Sequence, residues 1–204
     1  MGVFKYEKDE QGIVTVTMDM TGPVNAINAE YNGAMDETVL RLEAETDLTG
    51  VIFASAKKVF FAGADLNELV LMDAGDDEAL FANGELIKSH FRRLEKLPVP
   101  VVAAINGAAL GGGYELSLAC NHRIAYNHKS VQIGLPECAI GVYPAGGGVV
   151  RLTKLIGVEK SLDIILKSQR LVPEKALAVG LIDELVESID DLIPTAKAWI
   201  TKHA

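Results

Sequence analysis

The chain has 204 residues, of which 49% are hydrophobic, and a formal net charge of −9. This length and composition predict one domain, residues 1–204, with a large core. The negative net charge, without a basic run or patch, argues against nucleic-acid binding. The sequence contains no stretch of about 18 consecutive apolar residues, so it predicts no membrane-spanning helix.

The two cysteines and the N-terminus bear on compartment and metal binding. Cys120 and Cys138 are too few for a disulfide framework and lack the spacing of a CxxC or Cys/His metal site. The first residues lack the apolar core of a signal peptide. We therefore expect reduced thiols, no bound metal and a soluble, cytoplasmic protein.

The first half of the chain alternates between strand and helix patterns. Phe4–Lys8 and Ile13–Met18 predict two strands that form a hairpin. Asn28 predicts the cap of a helix from residue 29 to about 45. Three further elements follow: a buried strand at 51–54, an acidic surface segment at 72–78 that we expect to be mobile, and an amphipathic helix at 79–97 that ends before Pro98 and Pro100.

A loop of small residues at 59–66 lies between two of these elements. Gly63 permits a tight or left-handed turn, so the N–H of Ala64 could point inward. An ordinary connection from strand to helix is the alternative, and these residues alone favour it.

The stretch 101–119 carries the strongest chemical signal. An apolar strand, Val101–Ile105, leads to three glycines at 111–113 and then to Glu115. A glycine inside a helix costs roughly 1 kcal/mol relative to alanine, so the three predict a helix N-terminus whose N–H groups approach a negatively charged ligand oxygen. The small and apolar neighbours of Glu115 predict a buried carboxylate beside that ligand. A packing turn with Glu115 in a buried ion pair is the alternative.

The rest of the chain repeats this alternation. Glu137 follows a proline within a second glycine-rich, apolar stretch, although a lone glutamate there is more often solvated. The patterns predict strands at 122–126, 130–133 and 185–186, and helices at 152–156, 160–167, 173–179 and 189–202. Interleaved strands and helices predict an α/β chain.

Four segments together resemble the enoyl-CoA hydratase/isomerase (crotonase) family in order and spacing. They are residues 61–66, 104–116, 134–137 and 180–183, and the likeness extends roughly from Phe4 to Val186. It is strongest to the hydratase domain of multifunctional fatty-acid oxidation subunits. The resemblance implies a spiral of repeated ββα units, an acyl-CoA thioester as substrate, and no metal or redox cofactor.

Two departures from the family pattern accompany the resemblance. The loop 144–152 lacks the usual glycine after Pro144 and the threonine before the Arg151 region. The sequence also ends at Ala204, before the C-terminal helices that in this family cover the acyl pocket and support trimers, so we expect the C-terminal helical part to be truncated. The family implies either a homo-oligomer of the trimer type or a part of a larger fatty-acid oxidation complex.

The resemblance also implies roles for individual residues. The backbone N–H groups of Ala64 and Gly112 would form an oxyanion hole, Glu115 would be the principal base and Glu137 the principal acid. Residues that resemble the lining of the CoA-binding groove and the frame of the pocket are Asn25, Ala26, Ile27, Phe61, Ala62, Asp65 and Leu66.

Syn hydration of trans-2-enoyl-CoA thioesters in fatty-acid β-oxidation is therefore the leading interpretation. Two N–H donors suit an enolate oxygen, and two carboxyl groups suit the two proton transfers. A Δ3–Δ2-enoyl-CoA isomerase, which can run with one carboxylate, and a catalytically poor acyl-CoA-binding module stay open as alternatives. Neither glycine triplet has the GxGxxG spacing of an NAD site.

Overall fold

The computed structural model describes residues 3–71 and 75–204. Its strands are β1 (Phe4–Lys8), β2 (Ile13–Met18), β3 (Gly50–Ser55), β4 (Val101–Ile105), β5 (Ala109–Leu110), β6 (His122–Tyr126), β7 (Ile133–Gly134) and β8 (Glu184–Val186). Its helices are α1 (Ala29–Ala44), α2 (Leu66–Val70), α3 (Asp77–Glu95), α4 (Gly112–Leu118), α5 (Gly148–Ile156), α6 (Val158–Leu166), α7 (Pro173–Val179) and α8 (Leu192–His203), with 3₁₀ turns at Glu137–Ile140 and Ile189–Asp191. The α/β class expected from the sequence is confirmed.

Most strands join one sheet with the order β1-β2-β3-β4-β6-β8. β1 and β2 form the predicted antiparallel hairpin, and every other neighbouring pair in this sheet is parallel. Helices and loops connect the parallel strands, as such pairing requires. The sheet is therefore covered on both faces, and its central strand β4 is apolar and buried along its whole length.

Each face of the sheet has its own core. On one face Val14, Val16 and Met18 of β2 pack with the buried side of α1, which contributes Tyr31, Met35, Val39 and Leu42. On the other face Ile52, Val102 and Ile124 pack with α8, which contributes Leu192, Ala196 and Ile200. Alternate residues of a strand point to opposite faces, so this division follows from the strand pattern.

Several predicted element boundaries differ from the structure; α5, for example, begins at Gly148, four residues before the predicted start at 152. The Asn28 side chain accepts the N–H of Tyr31 at 2.9 Å, which confirms the predicted cap of α1. α3 begins at Asp77, two residues earlier than expected, so the predicted mobile segment 72–78 overlaps its acidic first turn, where negative charge suits the helix dipole. Residues 72–74 of that prediction lie outside the described residues.

The predicted strand at 130–133 is mostly wrong. The N–H of Val131 bonds to the carbonyl oxygen of His128 at 3.0 Å, so this part of the chain turns. Only Ile133 and Gly134 pair with a strand, β5. The predicted final helix at 189–202 begins instead as a 3₁₀ turn before α8.

A second, two-stranded sheet of β5 and β7 brings the chemical motifs together. The N–H of Leu110 bonds to the carbonyl of Phe61 at 3.1 Å, and the N–H of Gly111 bonds to the carbonyl of Gly134 at 3.0 Å. Segments that lie about 50 and 20 residues away from α4 in the chain thus meet its N-terminus. Among the described residues, no helix combines the length and the apolar character needed to cross a bilayer.

Gly113 shows how closely α4 packs on this layer. A Cβ built on Gly113 would overlap the carbonyl oxygen of Phe61 and stand 2.6 Å from its Cβ. We expect Gly113→Ala to lower the free energy of unfolding by at least about 1–3 kcal/mol, as overpacking against backbone does. Gly84→Ala in α3, where a Cβ meets nothing within 4 Å, should instead add about 0.5–1 kcal/mol. Urea unfolding measures both, and a Gly113→Ala chain as stable as the parent would contradict the packing described.

Candidate active site

Glu115 lies in the first turn of α4, and only 3% of its surface is exposed. Its Oε1 accepts the backbone N–H of Gly148 at 2.7 Å. Burial raises the pKa of Glu115, and the Gly148 hydrogen bond and the charge of Arg151 oppose that rise. No Lys or Arg of the described residues forms an ion pair with it, which argues against the alternative of a buried ion pair.

Glu137 begins the 3₁₀ turn that follows Pro136, and it is partly buried. Its Oε2 is buried and accepts no hydrogen bond from the residues that the structure describes. Burial raises the pKa of Glu137 to about 7; its own backbone N–H opposes this shift and the charge of Glu115 adds to it. A carboxyl group with this pKa exchanges protons readily near neutral pH.

Gly111 lies between the backbone of Glu115 and the carboxyl group of Glu137. Its carbonyl oxygen accepts the N–H of Glu115 at 2.9 Å, and a Cβ built on it would stand 3.1 Å from Oε1 of Glu137. Gly111 also has φ +54°, a conformation that glycine adopts at least cost. The N-terminus of α4 therefore holds Glu115 within its first turn while Glu137 lies against the residue before it.

The peptide groups of Ala64 and Gly112 lie close to each other, next to Gly111. Gly63 takes a left-handed turn at φ +100°, and a Cβ on it would stand 3.6 Å from the nitrogen of Gly112. Within residues 3–71 and 75–204, neither the N–H of Ala64 nor that of Gly112 donates a hydrogen bond. Two unpaired donors therefore come from adjacent parts of the backbone, and their use as an oxyanion hole remains a prediction.

The two segments predicted to line the CoA groove run side by side. The N–H of Ala62 bonds to the carbonyl of Asn25 at 2.8 Å, and Ile27 forms a parallel bridge with Ala64. Ala62, Ala64 and Leu66 are exposed along this pair, Ile27 and Asp65 are half-buried, and Ala26 is buried. The structure thus brings the segments together, and their contact with CoA remains a prediction.

Asn25 and Phe61 contribute to this pair from inside the core. The Asn25 side chain is fully buried and bonds to the carbonyl of Phe60 at 3.1 Å and to the hydroxyl of Ser55 at 2.9 Å. The Phe61 ring is 1% exposed and meets the ring of Tyr31 edge-on at 5.3 Å. These two side chains hold the segments in place, while the exposed residues form the outer surface.

Sequence reasoning missed the partners of Glu115. Gly148 donates to its carboxylate, and a Cβ on Gly146 would stand 2.5 Å from Oε2, so the loop is built around this group. Arg151 bonds to the carbonyl of Gly146 at 2.9 Å. The sequence feature that indicates these partners is the glycine triplet 146–148, which repeats the small-residue pattern of 111–113.

The raised pKa of Glu137 predicts a pH-dependent stability. Between about pH 4.5, where Glu137 titrates in the unfolded chain, and about pH 7, the folded chain holds more protons at this residue than the unfolded chain. The free energy of unfolding therefore falls as the pH rises through this window. Glu137→Gln removes the effect, so we expect the variant to gain stability over the parent between about pH 5 and about pH 8.

Urea unfolding at the two pH values measures this difference. Glu159→Gln, at an exposed position on α6, is the matched control and should follow the parent. A Glu137→Gln chain with the same pH dependence as the parent would contradict the buried, proton-binding carboxyl group.

The described residues contain no group of three or more His, Cys, Asp or Glu side chains that could hold a metal ion. The donors that the site offers are instead two carboxyl groups and backbone N–H groups. Such a set can stabilise a developing negative charge on an oxygen and move protons at neighbouring atoms.

Comparison with known proteins gives one consistent answer. Residues 8–204 match the family described as enoyl-CoA hydratase/isomerase. The fatty acid oxidation complex subunit alpha of Shewanella halifaxensis is 40% identical over 190 residues, covering 91% of this chain and 26% of that protein. This chain therefore spans about a quarter of the length of the curated relatives that it matches.

Solved structures agree with the sequence comparison. An enoyl-CoA hydratase from Bacillus anthracis superimposes with a TM-score of 0.89 at 31% identity, covering 98% of this chain and 76% of that one. An enoyl-CoA hydratase from Geobacillus kaustophilus gives a TM-score of 0.90 at 26% identity, covering 99% and 74%. The fold, the motifs and these matches together show that the chain belongs to the enoyl-CoA hydratase/isomerase (crotonase) family.

Proposed function

We propose that the chain is an enoyl-CoA hydratase that adds water in the syn sense to trans-2-enoyl-CoA thioesters. The observation that carries this proposal is the placement of two carboxyl groups at the N-terminus of α4, where Glu115 is buried, Glu137 is half-buried, and the charge of Glu115 adds to the raised pKa of Glu137. The unpaired N–H groups of Ala64 and Gly112 supply donors for a thioester oxygen.

The proposed reaction uses each group once. Glu115, ionised, takes a proton from water as the water oxygen bonds to C3. The π electrons between C2 and C3 move toward the thioester carbonyl, whose oxygen gains negative charge and is stabilised by the two N–H donors. Glu137, protonated, gives its proton to C2. Both carboxyl groups lie on one side of the substrate in this arrangement, so the hydroxyl at C3 and the hydrogen at C2 arrive on the same face. Proton exchange with solvent then removes the proton from Glu115 and returns one to Glu137.

The pKa of Glu137 supports its role as the acid. At about 7, a substantial fraction of this carboxyl group is protonated at neutral pH, and the fraction falls as the pH rises. We therefore expect hydration to slow above about pH 7. Since the reaction moves only water and protons, it requires neither a metal nor a redox cofactor.

A double-bond shift from C3 to C2 is the alternative reaction at this site, because it also needs an enolate-stabilising site but can run with one carboxylate. The presence of both Glu115 and Glu137 favours hydration, since a second carboxyl group can activate water. Measuring water addition to crotonyl-CoA and double-bond shift in a 3-enoyl-CoA, for the parent and Glu137→Gln, separates the two. We expect the parent to hydrate and the variant to lose hydration by about 10²- to 10⁴-fold.

Three results would contradict the proposal. A parent that shifts the double bond but does not add water is an isomerase. A parent that binds acyl-CoA tightly without turnover is a binding module. Full hydration by Glu137→Gln removes this residue from the acid role.

The names of the relatives support a place in fatty-acid oxidation. We propose that the chain acts there as part of a larger fatty-acid oxidation complex or as a homo-oligomer of the trimer type. Sedimentation of the purified chain tests the second possibility through the mass of the particle.

A further inference from the structure

Arg151 connects the end of one helix to the loop that surrounds Glu115. Its Nε donates to Oε1 of Glu95 at 2.7 Å, and its Nη1 donates to the carbonyl of Gly146 at 2.9 Å. The Arg151 side chain is 14% exposed and that of Glu95, the last residue of α3, is 25% exposed. One largely buried ion pair thus fixes the start of the loop 146–148 to α3.

The loop 146–148 separates Arg151 from Glu115. Gly147 has φ +102°, and a Cβ on it would overlap Nη1 of Arg151. On the other side, a Cβ on Gly148 would stand 2.8 Å from Oε1 of Glu115. The glycines therefore leave space for a guanidinium group on one side and a carboxylate on the other, and a larger side chain fits neither.

The ring of Phe91 also packs against this loop and against Arg151. The guanidinium carbon of Arg151 lies 5.8 Å from the centre of the Phe91 ring, and a Cβ on Gly146 would stand 3.1 Å from Cε2 of that ring. Phe91 is fully buried in α3, four residues before Glu95. The same helix thus contacts the loop through a ring and holds its arginine through a carboxylate.

We propose that Glu95 and Arg151 form a positioning pair that holds the loop 146–148 so that the N–H of Gly148 meets the carboxylate of Glu115. The pair does not touch the reacting atoms; it acts through the loop and through the positive charge of Arg151. This inference rests on the proposed function, because it assigns the pair to the base of the hydration reaction.

Three groups face Glu115 and bear on its titration. Arg151 carries a positive charge across the loop, Glu137 carries a carboxyl group that responds to the charge of Glu115, and the buried hydroxyl of Tyr31 lies within its electrostatic reach. Removing the charge of Arg151 raises the pKa of Glu115, since the opposite charge nearby favours the ionised form. Because the base must be ionised, the activity of such a variant shifts to higher pH.

The test compares Arg151→Gln, Arg151→Lys and Glu95→Gln with Arg92→Gln. Arg92 is the matched control, since it bonds to the other oxygen of Glu95 at 3.0 Å but is 62% exposed. We expect Arg151→Gln and Glu95→Gln to lower kcat for hydration by about 10- to 10²-fold with little change in KM, as small misplacements of a base do. Arg92→Gln should follow the parent.

The pH profile separates positioning from general destabilisation. In Arg151→Gln, the rise of kcat with pH that accompanies ionisation of Glu115 should move to higher pH. Arg151→Lys keeps the positive charge but loses the simultaneous contacts with Glu95 and the Gly146 carbonyl. In that variant the rise should stay at the parent's pH while the maximum kcat falls. A lower melting temperature alone produces no such difference. An Arg151→Gln chain with the parent's kcat and the parent's pH profile would overturn the proposal.

A measurement without turnover keeps this test independent of the proposed function. With ¹³C-labelled glutamate, the carboxyl signal of Glu115 is the one that disappears in Glu115→Gln, and its NMR titration reports its ionisation directly. We expect the titration to move to higher pH in Arg151→Gln and to stay in Arg151→Lys. If it moves but the parent does not hydrate, the pair stands and the proposed function fails; if the parent hydrates and neither titration nor kcat moves, the pair fails.

Discussion

Replacing Glu115 by glutamine should lower kcat for the hydration of crotonyl-CoA by about 10²- to 10⁴-fold, the usual contribution of a positioned general base. Gln has nearly the same shape as Glu, and its amide oxygen still accepts the N–H of Gly148, which meets Oε1 at 2.7 Å in the parent. The variant therefore loses the ability to take a proton while keeping the local packing. Steady-state rates over a range of substrate concentrations measure the loss.

Two controls make this result specific. Glu159→Gln makes the same chemical change at an exposed position on α6 and should retain the parent's rate. Urea unfolding of Glu115→Gln should show a folded chain, because removing a buried carboxylate takes away a desolvation cost. If Glu115→Gln hydrates at the parent's rate, this residue is not the base.

An ester in place of the peptide bond before Gly112 should lower kcat by about 10²- to 10³-fold, as the loss of one oxyanion donor does. The replacement exchanges the N–H for an oxygen and changes no side chain. Gly112 is the first residue of α4, and its N–H has no acceptor among the described residues. The helix therefore loses no hydrogen bond from this group, so the effect should fall on the transition state, with little change in KM.

The matched control is the same ester one residue later, before Gly113. Both esters weaken one carbonyl acceptor at the start of α4, so each carries a cost to the helix, and urea unfolding of the two chains measures that cost. We expect only the ester at Gly112 to slow hydration strongly. Equal rates for the two esters, whether both fast or both slow, would contradict the assignment of the Gly112 N–H as a donor to the thioester oxygen.

Local signals in the sequence account for much of the fold. The hairpin of β1 and β2 follows from alternating residues, and the start of α1 follows from the side chain of Asn28, which bonds to the N–H of Tyr31. The burial of Glu115 follows from its small and apolar neighbours. Each of these depends on residues close together in the chain, where periodicity and capping operate.

Contacts between distant segments were beyond such reasoning. Residues 130–132 have a strand-like composition, yet a turn at His128 removes them from the sheet, so that only Ile133 and Gly134 pair with β5. The hydrogen bond from Gly148 to Glu115 joins residues 33 positions apart, and the ion pair of Arg151 with Glu95 joins residues 56 apart. No local pattern specifies these distances; the folding of α5 against α3 and α4 creates them.

The measurement that tests the central claim most directly is the hydration of crotonyl-CoA in H₂¹⁸O and, separately, in D₂O, with the parent and the double variant Glu115→Gln/Glu137→Gln. We predict that the parent forms 3-hydroxybutyryl-CoA with one solvent oxygen at C3 and one solvent hydrogen at C2 on the same face, and that the double variant forms almost none. A double variant that forms the labelled product at the parent's rate, or a parent that forms none while folded and bound to substrate, would contradict the account.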